Sequence, residues 1–153
     1  MNEDKYLPYA SLLLRLALAV TLLSAVADRF GFWGDPGDKN VAWGSWLRFV
    51  EHMQTLVPFG SRETADKFAM VVTVFQIAFA LMLLFGIKIR WAAIGTGMLF
   101  FLFAVAMSIA YGIKAPLDAS VLVGMAASFL LACIPIYRWT PHGIKKKTVY
   151  RPY

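Results

Sequence analysis

A chain of 153 residues that is 59% hydrophobic, with a mean hydropathy of +0.62, is too apolar for an ordinary soluble domain, which carries about 45–50% apolar residues. The excess falls in four blocks, so composition points to membrane spans rather than a large soluble core. The net charge of +6 is divided among loops and a short tail, with no basic patch interleaved with exposed aromatics, which argues against nucleic-acid binding and leaves topology and lipid headgroups as the use of the charge.

The expected fold is all-α: an integral membrane four-helix bundle with an amphipathic helix in the first extracytoplasmic loop, forming one domain over residues 1–153. Span one covers about 7–27, with Pro8 in its first turn, where a missing N–H costs nothing. It is too long for a signal-peptide core, lacks an A-x-A-like cleavage site and is followed by further apolar runs, so it reads as a retained helix. Arg15 is its only charge. An arginine at that depth costs a few kcal/mol or more and normally marks a functional locus.

The loop 28–67 opens with the turn-rich stretch Gly31-Phe32-Trp33-Gly34-Asp35-Pro36-Gly37. It then reads as an amphipathic helix over about 43–57, because Trp43, Trp46, Leu47, Val50, Met53 and Val57 recur at helical spacing. That helix either lies in the interface, caps the helix ends as a lid, or gates a buried ligand site. Spans two to four follow at about 68–87, 91–111 and 117–137. The three-residue joint Lys88-Ile89-Arg90 forces an antiparallel pair. Gly95 and Gly97 permit close helix approach. Pro135 falls in the last turn of span four and bends it. Trp91, Tyr111, Tyr137 and Trp139 fall at span ends, where amphipathic rings prefer to sit.

Eight Lys and Arg residues lie on the side of the termini (Lys5, Lys88, Arg90, Arg138, Lys145, Lys146, Lys147 and Arg151), against six on the loop side (Arg29, Lys39, Arg48, Arg62, Lys67 and Lys114). Both termini are therefore expected in the cytoplasm, with a cytoplasmic tail over 138–153 whose Ile144-Lys145-Lys146-Lys147 contacts anionic headgroups.

The candidate ligand-binding residues are Arg15, Gln76, Thr73 and Ser128. Arg15 and Gln76 are expected to face one another, with Ser11, Ala19, Leu22 and Val26 on the arginine's face. No carboxylate lies within a span core, so the guanidinium either holds a quinone carbonyl, lipid phosphate or small oxyanion, or snorkels to headgroups. Asp28 and Arg29 could meet Asp118 as a polar cluster at the other end, either as a solvated ion pair or as part of a site. His52 and His142 fall on opposite sides and cannot share a haem. No metal-ligand spacing, nucleophile–base pair or phosphate loop is present, so no metal and no intrinsic cofactor is expected, and catalytic residues remain unassigned. Cys133, the single cysteine, reads as a small apolar filler.

Leu14-Arg15-Leu16-Ala17-Leu18-Ala19, Arg29-Phe30-Gly31-Phe32 and the run from Gln76 to Ala93 resemble the DoxX family of small four-helix membrane proteins. The resemblance covers roughly 12–107. Ala19 and Val26 stand where the family has glycine, Arg29 where it has lysine, and Gln76 where it tends to have glutamate, which removes a candidate proton carrier. The resemblance implies a bacterial or archaeal cytoplasmic (inner) membrane location. It also implies a redox-associated subunit of a quinone-linked oxidoreductase, with quinone as its ligand and a soluble redox protein as a partner beside membrane lipids. A non-enzymatic scaffold or a lipid or small-solute carrier stays open as the alternative, as does a homo-oligomer.

Overall fold

The computed structural model describes residues 3–56, 60–134, 137 and 140, with side chains from Tyr6 onward. Among them every regular element is a helix: α1 (Glu3–Arg29), α2 (Trp46–Leu56), α3 (Arg62–Phe85), α4 (Ile89–Tyr111), α5 (Lys114–Asp118) and α6 (Val121–Cys133). Three of them, α1, α3 and α4, are long and apolar enough to cross a membrane. Leu13, Val20, Val74, Leu102 and Ile109 stand on these helices, each more than half exposed. Apolar surface spread over several helices needs lipid against it, and it marks a membrane protein.

Several boundaries move from the sequence expectation. α1 starts at Glu3, so Pro8 lies inside the helix. α3 starts at Arg62, ahead of the expected 68, because the Ser61 side chain accepts the Thr64 N–H and caps a polar first turn that hydropathy does not register. It ends at Gly86, whose φ of +72° suits a residue without Cβ; the Ile87 N–H then donates to the Met82 carbonyl at 2.9 Å. The short joint returns the chain as α4.

The fourth apolar segment is the main correction. A continuous helix over 117–137 was expected, yet the chain forms the five-residue α5, breaks at Ala119–Ser120 and restarts as the 13-residue α6. Ser120 takes a left-handed conformation with φ +54°. Polar Asp118 and Ser120 interrupt the apolar run at this point. At 1.5 Å per residue α6 covers about 20 Å, short of the ~30 Å hydrocarbon core. Pro135, Trp139, His142 and Ile144–Lys147 lie outside the described residues, as does most of the tail.

Small residues set the packing. A Cβ on Gly97 would come within 2.8 Å of Phe129, one on Gly124 within 3.0 Å of Phe100, and one on Gly95 within 2.4 Å of Phe79. Ser11, Arg15, Ala19, Leu22 and Val26 form one buried stripe on α1, the face that i+4 and i+7 spacing selects. Cys133 is exposed rather than buried, because it is the last residue of α6 and turns away from the core.

α2 is shorter than the expected 43–57. Its buried face is Phe49, Val50 and Met53, packed with Ala65 and Ala69 of α3. Leu47, expected in that stripe, is half exposed and Phe49 takes its place; Val57 lies outside the described residues. Trp46 Nε1 donates to Asp66 at 2.8 Å. At its other end the Thr55 hydroxyl is hydrogen-bonded to the Tyr111 hydroxyl. The loop before α2 folds back over α1: Asp28 accepts the Ala42 and Trp43 N–H groups at 3.1 and 2.9 Å. Gly44, with φ +65°, lets the loop cross itself, since a Cβ there would sit 2.5 Å from the Pro36 nitrogen.

Candidate functional site

Beneath α2 the helices leave a cavity of ≈ 450 Å³, within the range of about 300–1,000 Å³ typical of small-molecule sites. Every element except α5 contributes to it. Leu22 and Arg29 come from α1, Phe49 and His52 from α2, Gln76 from α3, Phe103 and Met107 from α4, and Ala119 and Val121 from the break before and the start of α6, with Trp43 of the loop beside them. The walls are mainly apolar.

Arg29 is the centre of the site. It is the last residue of α1, where the carbonyl end of the helix favours a cation. Its side chain is only 1% exposed. Nη1 donates to the Thr73 hydroxyl at 2.5 Å, and Thr73 in turn donates to the Ala69 carbonyl at 2.7 Å. The guanidinium carbon stands 3.7 Å from the centre of the Phe49 ring and 5.5 Å from that of Trp43, so two aromatic faces share the charge. Nε has no hydrogen-bond partner among the described residues. The three ion pairs among the described residues all lie elsewhere: Arg48–Glu51, Lys67–Glu63 and Lys114–Asp118. Asp28 is adjacent in sequence and its charge partly compensates Arg29; its Oδ2 accepts from the loop and its Oδ1 has no hydrogen-bond partner among the described residues.

Gln76 is 3% exposed, and its Oε1 is buried with no partner among the described residues. A buried amide without a partner carries a desolvation cost of about 1–3 kcal/mol. Arg29 and Gln76 thus both line the chamber, while Arg29 Nε and Gln76 Oε1 themselves are buried with almost no accessible surface.

His52 and Trp43 line both this cavity and a groove on the other side of the loop, lined also by Pro36, Gly37, Arg48 and Glu51. They form the partition between chamber and exterior. His52 stacks on Tyr111 with ring centres 5.7 Å apart and 11° between planes, and its Nδ1 is 3.3 Å from the Tyr111 hydroxyl. Burial, and then the charge of Arg29, push its pKa below the ordinary histidine value.

The residues singled out in the sequence are divided by the fold. Gln76 lines the cavity and Thr73 holds Arg29 at its edge. Arg15 is buried in α1, about 21 Å along the axis from Arg29, and is not among the walls of this chamber. Ser128 is fully buried and bonds the Gly124 carbonyl at 2.7 Å, which satisfies it within its own helix. The outer-end cluster is corrected in part. Asp28 and Arg29 are buried rather than solvated, whereas Asp118 stays exposed and pairs with Lys114 one turn away. The break at Ala119 holds Asp118 on the short α5.

Sequence reading missed the roles of Phe49, His52 and Trp43. The i, i+3 spacing of Phe49 and His52 places them on one side of α2, but nothing local to the sequence aims that side at Arg29. No family model, no curated protein and no solved structure matches this chain.

Proposed function

We propose that this chain is a DoxX-like membrane subunit of four-helix-bundle type, redox-associated, that binds a quinone-like ligand in the Arg29–Gln76 cavity or anchors a soluble oxidoreductase. The reading places it in a bacterial or archaeal cytoplasmic membrane with both termini inside, so the α2 end faces out. There α2 serves as an amphipathic lid at the membrane surface. The observation that carries the reading is the chamber itself: mostly apolar walls, a buried arginine with an unpartnered donor, and an amide that can donate or accept. A quinone carbonyl accepts from such donors while its ring packs on Phe103 and Met107. Electrons would come from a partner or a diffusible substrate.

A second reading, a lipid or small-solute carrier or scaffold, is supported by the broken fourth helix, whose gap lines the same cavity. Discontinuous helices at a chamber are frequent in carriers.

Native mass spectrometry of the protein released gently from its own membrane separates the two. A co-released quinone or redox protein is expected, and a Gln76→Leu variant should release less quinone. Protein carrying only phospholipid would move the conclusion to the carrier, which solute flux in vesicles then tests.

A further inference from the structure

The break in the fourth helix does more than shape the cavity. α6 restarts deep in the molecule: Gly124 packs on Phe100, which is about 16 Å along α4 from its end at Tyr111. The side chain of Ser120 does not cap the new helix. The first N–H groups of a helix carry a partial positive charge and need acceptors. Ala119 and Val121, which bracket this helix start, line the chamber together with Arg29. Two positive features thus converge on one apolar space: a guanidinium that is 1% exposed, with an unpartnered Nε, and an uncapped helix start. Gln76, 3% exposed and without a hydrogen bond among the described residues, lines it as well. Asp28, adjacent in sequence and buried, gives Arg29 part of its charge compensation; its Oδ2 accepts from two loop N–H groups, its Oδ1 has no hydrogen-bond partner among the described residues, and it does not line the chamber.

We infer that the cavity binds an amphiphile through an oxyanion head, a carboxylate or an ionised ring hydroxyl, set between Arg29 and the first turn of α6. The apolar body lies along Met53, Phe103 and Met107. An oxyanion supplies what a neutral carbonyl does only weakly: a counter-charge for Arg29 beyond the part Asp28 provides and an acceptor for the helix start at once. The inference rests on the cavity being a ligand site, and it narrows the ligand from any quinone to one that binds as its anion.

The test uses the full chain in nanodiscs of phosphatidylcholine, so that no anionic lipid competes. A naphthoquinone with a hydroxyl on the quinone ring, a vinylogous acid that is ionised at neutral pH, is compared with its methyl ether, which has nearly the same body and no charge. Decanoate is compared with decanol in the same way. Binding is read by calorimetry. The anions should bind about tenfold or more tightly than their neutral counterparts, as a charge-assisted hydrogen bond allows. Arg29→Met should abolish that preference while melting normally, and Phe103→Trp, which fills the chamber, should weaken all binding.

Equal binding of the two quinones overturns the oxyanion head and leaves the quinone reading intact. Binding of decanoate, with neither quinone bound, upholds the oxyanion head and overturns the quinone reading. No binding of any probe overturns both. If Arg29→Met does not fold, Arg29→Gln replaces it, and an undiminished anion preference in either folded variant overturns the assignment.

Discussion

At position 29 the fold buries a cation that is held by a threonine hydroxyl, two aromatic faces and the charge of neighbouring Asp28, with no direct ion pair among the described residues. Such an arrangement serves binding at the expense of stability, because a desolvated charge is compensated only in part. Arg29→Met keeps the length of the side chain and removes the charge. It is therefore expected to melt at the same temperature as the parent or higher in detergent, and a clear fall would mean that Arg29 is a structural anchor instead. His52 gives a pH-dependent counterpart. Its folded pKa is lowered by burial and then by Arg29, so the neutral ring is the folded form. Its contribution is complete above about pH 6.5 and is lost as pH falls toward the lowered folded value. Melting curves of the parent and of His52→Gln should show the parent's relative advantage shrinking from about pH 8 to about pH 5.5. A constant difference would show that the ring is not the group responsible.

Among elements, the α4–α6 contact depends on glycine. The ring of Phe129 occupies the place of a Gly97 side chain, and the ring of Phe100 presses on Gly124. Gly97→Leu forces these helices apart and should cost about 1–3 kcal/mol, the usual range for overpacking; unfolding in mixed micelles measures it. A loss near zero would mean that α6 moves freely against α4, as a mobile carrier element would. α2 differs in kind. It is tied by Trp46 to Asp66 on one side and by Thr55 and His52 to Tyr111 on the other. These are single polar contacts at the two ends of a short helix, whereas its Phe49, Val50 and Met53 face provides the apolar hold.

For the whole molecule, the orientation proposed from charge is open to direct labelling. In a Cys133→Ser background, Lys39→Cys should react with an impermeant maleimide added outside intact cells, and Arg90→Cys only after the membrane is opened. The reverse pattern would invert the topology, and the cavity would then open to the cytoplasm. Reaction of both from outside would mean that the helices between them do not cross the membrane as proposed.

The sequence by itself determined the helical class, the three long apolar helices and the buried stripe on α1, because hydrophobic runs and 3.6-residue spacing are local properties. It also flagged Gly95 and Gly97 as places of close approach, Gln76 and Thr73 as polar groups on one face, and Asp28–Arg29 as a pair of note. What only the tertiary structure decided is which of these meet. Thr73 bonds Arg29 across 44 residues of chain, and nothing in either neighbourhood specifies that partner. The break at Ala119–Ser120 was hidden because hydropathy averages over a window and passes over two polar residues in an apolar run. Burial of Arg29 needs the Phe49 ring delivered by α2 and the Asp28 carboxylate that the loop holds in place beside it. Both depend on how the 28–67 segment folds back, a matter of long-range packing that no local pattern carries.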